Sequence, residues 1–419
     1  MMKLSGEVIL PGDKSISHRA LLLSAISYGK AKIKHLLKSE DVKATIGVLK
    51  ALGVEIVEDN DCVYVTGRGF EGLNEPIEIL NCMNSGTTAR LLLGLLSGLE
   101  ISSVLNGDDS LSKRPMRRVV KHLECLQANI LLTDKNYLPA EIMPSKLKGN
   151  EVFLDVSSAQ VKSAVLLAAL KVKEPTVIHE LSTSRNHTEL MLQSMGADIS
   201  ANDLTIRLSG KNRLNAVDII VPGDISSAAY FIVACLITPD SEILIKDCGL
   251  NPTRIGILKV LDQIGAYYKI MNQKVICNEI VGDLYLKYQS NLKPLKLEKN
   301  LIPYLIDEIP ILTLLATQIY GTSVIKDARE LRVKESDRIK STKSSLTLLG
   351  ADIIELEDGM IINGKTNLTP NTVDSYYDHR ISMMLKVAKI ICGNIKIKHD
   401  DCDKISYPNF ENDLRKLLK

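Results

Sequence analysis

Six stretches of the chain share one pattern, in which small polar residues able to cap a helix precede an apolar run of helical length. Five of the polar openings supply Ser, Asp or Asn, the residues preferred at a helix N-cap. The opening at residue 307 fits less well because Pro310 follows it. The six stretches are DKSISHRALLLSAIS from 13, NSGTTARLLLGLLSG from 84, SSAQVKSAVLLAAL from 157, DISSAAYFIVACLI from 224, DEIPILTLLATQIYG from 307 and DHRISMMLKVAKIICG from 378.

Each apolar stretch is followed by a β-rich segment and then by a second predicted helix. In five of the six repeats this second helix runs into a similar tail, such as LGVEIV from residue 52 and LGADII from residue 349. Gly in such a tail is typical of a helix C-terminus before a strand. The repeating unit is therefore helix–strand–helix–strand, about 70 residues long. This alternation predicts an α/β architecture.

A repeated Pro-Gly-Asp segment indicates where the chain divides into domains. The segment VILPGD (8–13) recurs as IIVPGD (219–224), each a β-rich run that enters a capped helix. We therefore predict one domain of repeats one to three, residues 13–223. The other domain holds repeats four to six, residues 1–12 with 224–419. Hinge crossings are expected near residues 12 and 223, where Gly12 and Gly223 can take up a change in dihedral angles.

Composition narrows the class of protein. The chain has 419 residues, 45% hydrophobic and 24% charged, which indicates a globular protein of more than one domain. A net charge of +2 and an aromatic content of 4% without Trp argue against nucleic acid as a partner. No run of 18 apolar residues predicts a membrane span. The start MMKLSGEVIL indicates a strand instead of a targeting segment, so we expect a cytoplasmic protein. The eight cysteines form no CxxC pair and no zinc-type cluster, which is typical of reduced thiols.

Basic residues recur at the starts of predicted helices, where the helix dipole disfavours cations. Any one of them is most simply explained as a solvated charge. As a set, they indicate a site for phosphate or carboxylate, because helix N-termini and cations both attract an anion. The basic residues are Lys14, Arg19, Arg90, Lys113, Arg114, Arg117, Arg118, Arg185, Lys334, Arg338 and Arg380.

Two acids stand among these cations, Asp307 and Glu335. Glu335 could form an ion pair with Lys334 or Arg338, and Asp307 could cap a helix. The alternative is general acid–base catalysis, in which neighbouring cations and burial shift the two carboxyl pKa values in opposite directions.

Six motifs together resemble the 5-enolpyruvylshikimate-3-phosphate synthases of the enolpyruvyl transferase family. They occur in the family's order, from about residue 5 to residue 410: GDKSISHRALLLSA, NSGTTARLL, KRPMRR, SAQVKSA, ELRVKESDRI and DHRISM. The resemblance implies an inside-out α/β barrel fold of two globular domains, each of three βαβαββ repeats, with the active site in the cleft between them. The N-terminal strand is expected to join the domain formed by the C-terminal half.

The implied reaction transfers the enolpyruvyl group of phosphoenolpyruvate to the 5-hydroxyl of shikimate 3-phosphate, in the pathway to chorismate and aromatic amino acids. By the resemblance, Asp307 takes the hydroxyl proton, and Glu335, with Lys14 nearby, protonates the methylene carbon. No metal or organic cofactor is expected, and the chain is expected to act as a monomer. Residues implied at the shikimate 3-phosphate site are Lys14, Ser15, Arg19, Ser158, Ala159 through its backbone, Gln160, Arg185, Asp307 and Lys334. Residues implied at the phosphoenolpyruvate site are Lys14, Asn84, Gly86, Thr87, Arg114, Gln160, Arg338 and Arg380.

The sequence departs from the family pattern at a few positions. Lys404 lies one residue out of register with a lysine that some members use to bind phosphoenolpyruvate. Leu91 and Glu330 stand where some members have Pro and Asn. Gly86 is, by the same resemblance, the form associated with sensitivity to glyphosate.

Two other functions stay open. An enzyme of the same fold transfers enolpyruvyl to a UDP-amino sugar, but that family usually carries a reactive Cys in the loop that corresponds to NGDDSLSK, and this loop has none. A non-catalytic protein that binds phosphorylated ligands or RNA is the other alternative. Against it, the acids Asp307 and Glu335 would weaken a pure anion site.

Overall fold

A computed structural model describes residues 2–419 of the chain. These residues form two compact units. The N-terminal unit comprises residues 12–221 and 276–279, and the C-terminal unit comprises residues 2–11, 222–275 and 280–419. That the two act as hinged domains with crossings near residues 12 and 223 stays a prediction.

The helices begin close to the openings that the polar–apolar pattern marks. The α-helices of the described residues are α1 (Lys14–Ala25), α2 (Glu40–Ala51), α3 (Gly86–Ser97), α4 (Arg117–Glu124), α5 (Ala159–Ala169), α6 (His187–Ser194), α7 (Ile225–Ile237), α8 (Gly256–Ile264), α9 (Ile309–Thr317), α10 (Arg338–Leu348), α11 (His379–Cys392) and α12 (Phe410–Leu417). Short 3-10 helices cover Phe70–Gly72, Leu111–Lys113, Ile302–Tyr304, Arg329–Val333 and Asp400–Ile405.

The strands are short and fall into small sheets. They are β1 (Ser5–Ile9), β2 (Tyr28–Lys34), β3 (Glu55–Asp59), β4 (Cys62–Arg68), β5 (Leu80–Asn81), β6 (Ser103–Asn106), β7 (Asn129–Thr133), β8 (Tyr137–Met143), β9 (Glu151–Phe153), β10 (Thr176–His179), β11 (Asp198–Asn202), β12 (Thr205–Ser209), β13 (Ile219–Ile220), β14 (Glu242–Gly249), β15 (Tyr268–Ile276), β16 (Glu279–Lys287), β17 (Lys296–Leu297), β18 (Gly321–Ile325), β19 (Asp352–Leu356), β20 (Gly359–Gly364), β21 (Thr372–Asp374) and β22 (Lys396–Lys398).

Five of the sheets have four strands and the same topology. In the N-terminal unit the strand orders are β13-β2-β4-β3, β5-β6-β8-β7 and β9-β10-β12-β11. In the C-terminal unit they are β1-β14-β16-β15 and β17-β18-β20-β19. A sixth sheet has only β21 and β22, because the chain continues from β22 into a 3-10 helix and α12 instead of a hairpin. The first two strands of every sheet pair in parallel.

A parallel pair needs a crossover connection, and in four sheets that connection contains the buried helix α3, α5, α9 or α11. The two Pro-Gly-Asp segments follow β1 and β13, and each of these strands joins the sheet of the other strand's repeat. The strand before α1 pairs with β14, which follows α7, and the strand before α7 pairs with β2, which follows α1. The echo VILPGD and IIVPGD therefore marks two equivalent strands, β1 and β13.

The first helix of each repeat is buried on most of its surface. All residues of α7 and α9 are buried, and α1, α3, α5 and α11 are exposed at only a few positions. A helix that is apolar all round belongs in an interior. Each unit has its own hydrophobic core, and the two cores have no residue in common. The predicted mixed α/β class is confirmed.

Close packing of α3 against α5 depends on Gly94. A Cβ atom at this position would lie 2.0 Å from the carbonyl oxygen of Ala164, so only glycine allows the two helices to approach this closely. The first turns of these helices also meet, since Gln160 Nε2 donates to Thr87 Oγ1 at 2.9 Å.

Candidate active site

The first two turns of α1 carry three of the predicted site residues in the N-terminal unit, Lys14, Ser15 and Arg19. Asp13 caps the helix by accepting a hydrogen bond from the Ile16 amide at 2.9 Å. Lys14 forms an ion pair with Asp41, at the start of α2. That partner was not predicted, because nothing in the local sequence connects residue 41 to residue 14.

The guanidinium of Arg19 is buried and fixed by three hydrogen bonds. Its Nε donates to Thr188 Oγ1 at 2.7 Å, and its Nη2 donates to Ser163 Oγ at 2.7 Å. The third bond, from Nη1, goes to the backbone oxygen of Ser15 at 3.0 Å. Arg185 Nη1 lies 3.4 Å from the hydroxyl of the same Ser15. The structure thus brings together the predicted Ser15, Arg19 and Arg185.

A second group of predicted residues surrounds the start of α3, which Ser85 caps by accepting from the Thr88 amide at 3.2 Å. Arg114 is buried, and its Nη2 donates to Asn84 Oδ1 at 2.7 Å. Gly86 lies beside this arginine, since a Cβ atom at position 86 would lie 3.4 Å from Arg114 Nη1.

Gln160, at the start of α5, is hydrogen-bonded to the start of α3. Besides its bond to Thr87, Gln160 accepts a hydrogen bond from Arg90 Nη1 at 2.8 Å through Oε1. Arg90 is one of the helix-start cations, and no role for it follows from the family motifs. The predicted Ser158 and Ala159 are the N-cap and the first residue of α5.

In the C-terminal unit, Arg338 collects three carboxylates. Its side chain is 1% exposed. Nη1 lies 3.2 Å from Asp307 Oδ1, Nη2 contacts Glu335 Oε2, and Nε lies 2.9 Å from Asp378 Oδ2. An ion pair of Glu335 with Lys334 or Arg338 was one of the alternatives considered from the sequence, and the structure shows the pair with Arg338. It also places Asp307 on the same guanidinium.

Charge in this cluster follows from burial and close pairing. Burial acts to lower the pKa of Arg338, but Asp378, Glu335 and Asp307 more than offset it, so the pKa of Arg338 is raised. Arg380 is likewise buried, and its pKa is raised against the effect of burial, with Tyr230 and Asp307 among the causes. Both guanidinium groups are therefore held charged.

The pKa of Lys334 is shifted in the opposite direction, downwards. Burial lowers the pKa of this lysine, and Glu330 and Asp307 offset only part of the shift. Its Nζ lies 3.8 Å from Glu330 Oε1.

Two other positions where the sequence departs from the family pattern lie in different surroundings. Lys404 is exposed, in the 3-10 helix Asp400–Ile405, and Leu91 is fully buried in α3.

Asp378 is a functional candidate that sequence reasoning did not single out. It caps α11 by accepting from the Arg380 amide at 2.9 Å, and both of its oxygens also accept from Arg338. The motif DHR at a predicted helix start identifies an N-cap, but not the second role on a distant arginine.

Among residues 2–419, no set of three His, Cys, Asp or Glu side chains is arranged to hold a metal ion. All eight cysteines are free thiols. Within residues 2–419, every helix is too short or too polar to span a lipid bilayer. That the protein needs no cofactor stays a prediction.

Comparisons with known proteins agree over the whole chain. Residues 1–414 match the family model of EPSP synthase (3-phosphoshikimate 1-carboxyvinyltransferase). A curated 3-phosphoshikimate 1-carboxyvinyltransferase of Oceanobacillus iheyensis is 46% identical over 418 residues, covering 99% of this chain and 97% of the relative. One of Staphylococcus aureus (strain Newman) is 46% identical over 417 residues, covering 99% and 96%.

Solved structures show the same similarity. A structure of EPSP synthase from Acinetobacter baumannii superposes with a TM-score of 0.88 at 36% sequence identity, covering all of this chain and 97% of that one. A family match over residues 1–414, close relatives of nearly equal length and a shared fold together place this chain in the EPSP synthase family, the 3-phosphoshikimate 1-carboxyvinyltransferases.

Proposed function

We propose that this protein transfers the enolpyruvyl group of phosphoenolpyruvate to the 5-hydroxyl of shikimate 3-phosphate, releasing inorganic phosphate. The product, 5-enolpyruvylshikimate 3-phosphate, leads to chorismate and the aromatic amino acids. We further propose that the enzyme acts as a monomer in the cytoplasm, with these two small molecules as its partners and without a cofactor.

Shikimate 3-phosphate binds near the start of α1, where the buried Arg19 and the half-buried Arg185 lie close together. Arg19 and Arg185, joined through Ser15, supply two guanidinium groups for the phosphate, and charge-assisted bonds of this kind contribute about 1.5–3 kcal/mol each. The full set that we assign to this substrate is Lys14, Ser15, Arg19, Ser158, Ala159, Gln160, Arg185, Asp307 and Lys334.

Phosphoenolpyruvate binds at the start of α3 and at the buried arginines of the C-terminal unit. Arg114 beside Gly86 provides positive charge at a helix N-terminus, a combination that favours an anion. The full set that we assign to this substrate is Lys14, Asn84, Gly86, Thr87, Arg114, Gln160, Arg338 and Arg380.

The chemistry proceeds by addition and elimination. Asp307 accepts the proton of the 5-hydroxyl as its oxygen forms a bond to the central carbon of phosphoenolpyruvate. Glu335, assisted by Lys14, donates a proton to the methylene carbon, which becomes a methyl group. The bond between the central carbon and the phosphate oxygen then breaks, and phosphate leaves with the proton that Asp307 had taken up. Glu335 takes a proton back from the methyl group, which restores the double bond. Correct placement of the two reactants alone can contribute about 7–11 kcal/mol to such a step.

The observation that carries this proposal is the pair of half-buried carboxylates, Asp307 and Glu335, held on one buried guanidinium. A protein that only binds anions gains nothing from carboxylates at its cations, because they compete with the ligand. Two acids in fixed positions are what a proton-transfer reaction needs.

The test is a phosphate-release assay with three mixtures: phosphoenolpyruvate with shikimate 3-phosphate, phosphoenolpyruvate with a UDP-amino sugar, and phosphoenolpyruvate alone. We expect release only with shikimate 3-phosphate. In the variant Asp307→Asn, turnover should fall at least about a hundredfold, a typical size for general acid–base catalysis, while shikimate 3-phosphate still binds in calorimetry.

Asp352→Asn is the matched control, because Asp352 is an exposed carboxylate of the same unit that accepts a hydrogen bond from Asn363 Nδ2 at 3.0 Å and belongs to neither substrate set. It should turn over like the wild type. Release only with the UDP-amino sugar would replace the proposed acceptor. Near-normal turnover in Asp307→Asn would remove Asp307 as the base and leave the reaction itself unchanged.

A further inference from the structure

Three charged side chains of the N-terminal unit are buried together outside the residues assigned to either substrate. Lys162 is 1% exposed, and its Nζ lies 2.6 Å from Glu189 Oε1 and 3.0 Å from Glu180 Oε2. Both glutamates are also buried. Burial of charged groups costs several kcal/mol per ion unless each is well paired, and well-packed apolar residues are often as stable. We call Lys162, Glu180 and Glu189 the Lys162 triad and consider what it does besides stabilising the fold.

The triad joins three separate segments of the chain. Lys162 lies in α5, Glu189 lies in α6, and Glu180 directly follows β10. Glu180 Oε1 accepts hydrogen bonds from both the amide and the hydroxyl of Ser184, the amide at 3.2 Å. Lys162 Nζ also lies 3.5 Å from the Ser184 backbone oxygen. The loop from 180 to 186 is therefore folded onto the lysine.

The sequence neighbours of these groups hold the proposed phosphate-binding arginines. Ser163 follows Lys162, and Thr188 precedes Glu189; these two hydroxyls lie 2.7 Å apart and each accepts a hydrogen bond from Arg19 at 2.7 Å. Arg185 follows Ser184, the residue that Glu180 fixes. A shift of α6 or of the 180–186 loop would therefore move the groups that orient Arg19 or Arg185.

We propose that Lys162 is a positioning residue for the shikimate 3-phosphate site, which holds Glu180 and Glu189 so that Arg19 and Arg185 point at the substrate. The inference rests on the proposed function. Lys162 acts through the two arginines and does not itself touch the substrate.

The protonation of Glu180 agrees with this role. Burial raises the pKa of this carboxyl, and Lys162 is the main group that opposes the rise. An ionised Glu180 accepts two hydrogen bonds from Ser184, whereas a protonated one would hold the loop less firmly. Loss of the ammonium group would therefore loosen the 180–186 loop as well as α6.

The experiment measures steady-state kinetics with each substrate varied in turn. Glu189→Gln and Glu180→Gln keep the side-chain shape and remove one charge each from the triad. Asp283→Asn is the matched control, because Asp283 is a buried carboxylate of the C-terminal unit that pairs with Lys246 and contacts no residue assigned to a substrate.

We expect both triad variants to raise KM for shikimate 3-phosphate about tenfold while KM for phosphoenolpyruvate changes by less than about twofold. The control should leave both KM values unchanged even where it lowers the melting temperature. A purely structural role for the triad would lower the melting temperature or the active fraction without this difference between the two KM values.

Wild-type protein that does not turn over the two substrates would overturn the proposed function and this inference together. With active wild type, triad variants whose KM values are unchanged, or rise equally for both substrates, contradict the positioning role alone. Far-UV circular dichroism reports whether each triad variant folds, and the KM values are compared for every variant that does. If neither folds, the triad is structural and the inference is wrong.

Discussion

Arg338 is almost completely buried, yet each of its three guanidinium nitrogens contacts a carboxylate oxygen. A buried guanidinium cannot discard its charge by losing a proton, so it must be surrounded by acids. The same contacts fix the positions of Asp307 and Glu335, the two groups proposed to move protons. At the scale of single residues, the contacts that neutralise Arg338 therefore also hold Asp307 and Glu335 in position.

Position 86 gives a prediction at this scale. A Cβ atom there would lie 3.0 Å from Arg90 Nη1 and 3.4 Å from Arg114 Nη1, so Gly86→Ala presses on two cations at the start of α3. We expect KM for phosphoenolpyruvate to rise about tenfold, which corresponds to about 1.4 kcal/mol and lies within the roughly 1–3 kcal/mol that overpacking costs, with a smaller change for shikimate 3-phosphate. Steady-state kinetics with each substrate varied measures the difference.

Gly47→Ala is the control for this substitution, since a Cβ atom at position 47 in α2 has nothing within 4 Å. It should leave both KM values unchanged and raise the free energy of unfolding by about 0.5–1 kcal/mol, because alanine favours a helix over glycine. An unchanged KM for phosphoenolpyruvate in Gly86→Ala would mean that Arg90 and Arg114 move aside freely, or do not bind this substrate.

At the scale of secondary-structure elements, a chain of hydrogen bonds between buried side chains connects three helices of the N-terminal unit. His18 Nδ1 in α1 lies 2.7 Å from Thr45 Oγ1 in α2, which lies 2.7 Å from Thr88 Oγ1 in α3. Thr88 Oγ1 donates in turn to Ser85, the cap of α3, at 2.7 Å. The helix that carries Lys14 and Arg19 is thereby connected to the first turn of α3, which begins at Gly86.

The pKa of His18 predicts how this connection responds to acid. Burial lowers the pKa of His18 well below its usual 6.5, and Lys14 and Arg19 lower it further. The unfolded chain therefore binds a proton that the folded protein resists, so the stabilisation is complete above pH 6.5 and is lost as the pH falls below it. We expect the free energy of unfolding to fall by up to about 1.4 kcal/mol per pH unit from this group alone.

Urea unfolding between pH 7.5 and 5 measures this slope, and the variant His18→Gln isolates it, because glutamine does not titrate in this range. The wild type should lose stability faster than the variant as the pH falls. Equal slopes in the two proteins would show that His18 is protonated in the folded state or that the connection opens without cost.

At the scale of the whole molecule, the protein contains two hydrophobic cores without a shared residue, one in each unit. Each is built around helices that are buried nearly all round, such as α3 in the N-terminal unit and α7 in the C-terminal unit. A unit with its own core can open independently of the other.

Leu96→Ala tests this independence. Leu96 is fully buried in α3, so its truncation should destabilise the N-terminal core by about 2–5 kcal/mol. Hydrogen exchange should then show faster amide exchange in α1, α3 and α5, while α7, α9 and α11 keep wild-type protection. An equal loss of protection in both units would show that the molecule unfolds as one cooperative body.

Much of the fold could be predicted from the sequence, because the residues that begin and cap a helix lie next to one another in the chain. The predicted openings at residues 13, 84, 224 and 378 each contain the residue that caps the helix, and these caps accept a hydrogen bond from a first-turn amide. The opening at 307 behaves as its proline suggests, with α9 beginning at Ile309 and no side-chain cap. The family resemblance implied that β1 joins the C-terminal half, but the repeat pattern alone did not predict that β1 pairs with β14 and β13 with β2, because the choice of a parallel partner depends on contacts distant in the chain.

The amino-acid sequence by itself determined the repeats, the caps, the cations at the helix starts and the family with its reaction. Each of these depends on residues within a few positions of one another, or on motifs that keep their order. Only the tertiary structure decided which distant side chain each buried arginine meets. Arg338 meets Asp378 across 40 positions, and Arg19 meets Thr188 across 169, because a charge withdrawn from water must find its partner wherever the packed chain brings one within hydrogen-bonding distance.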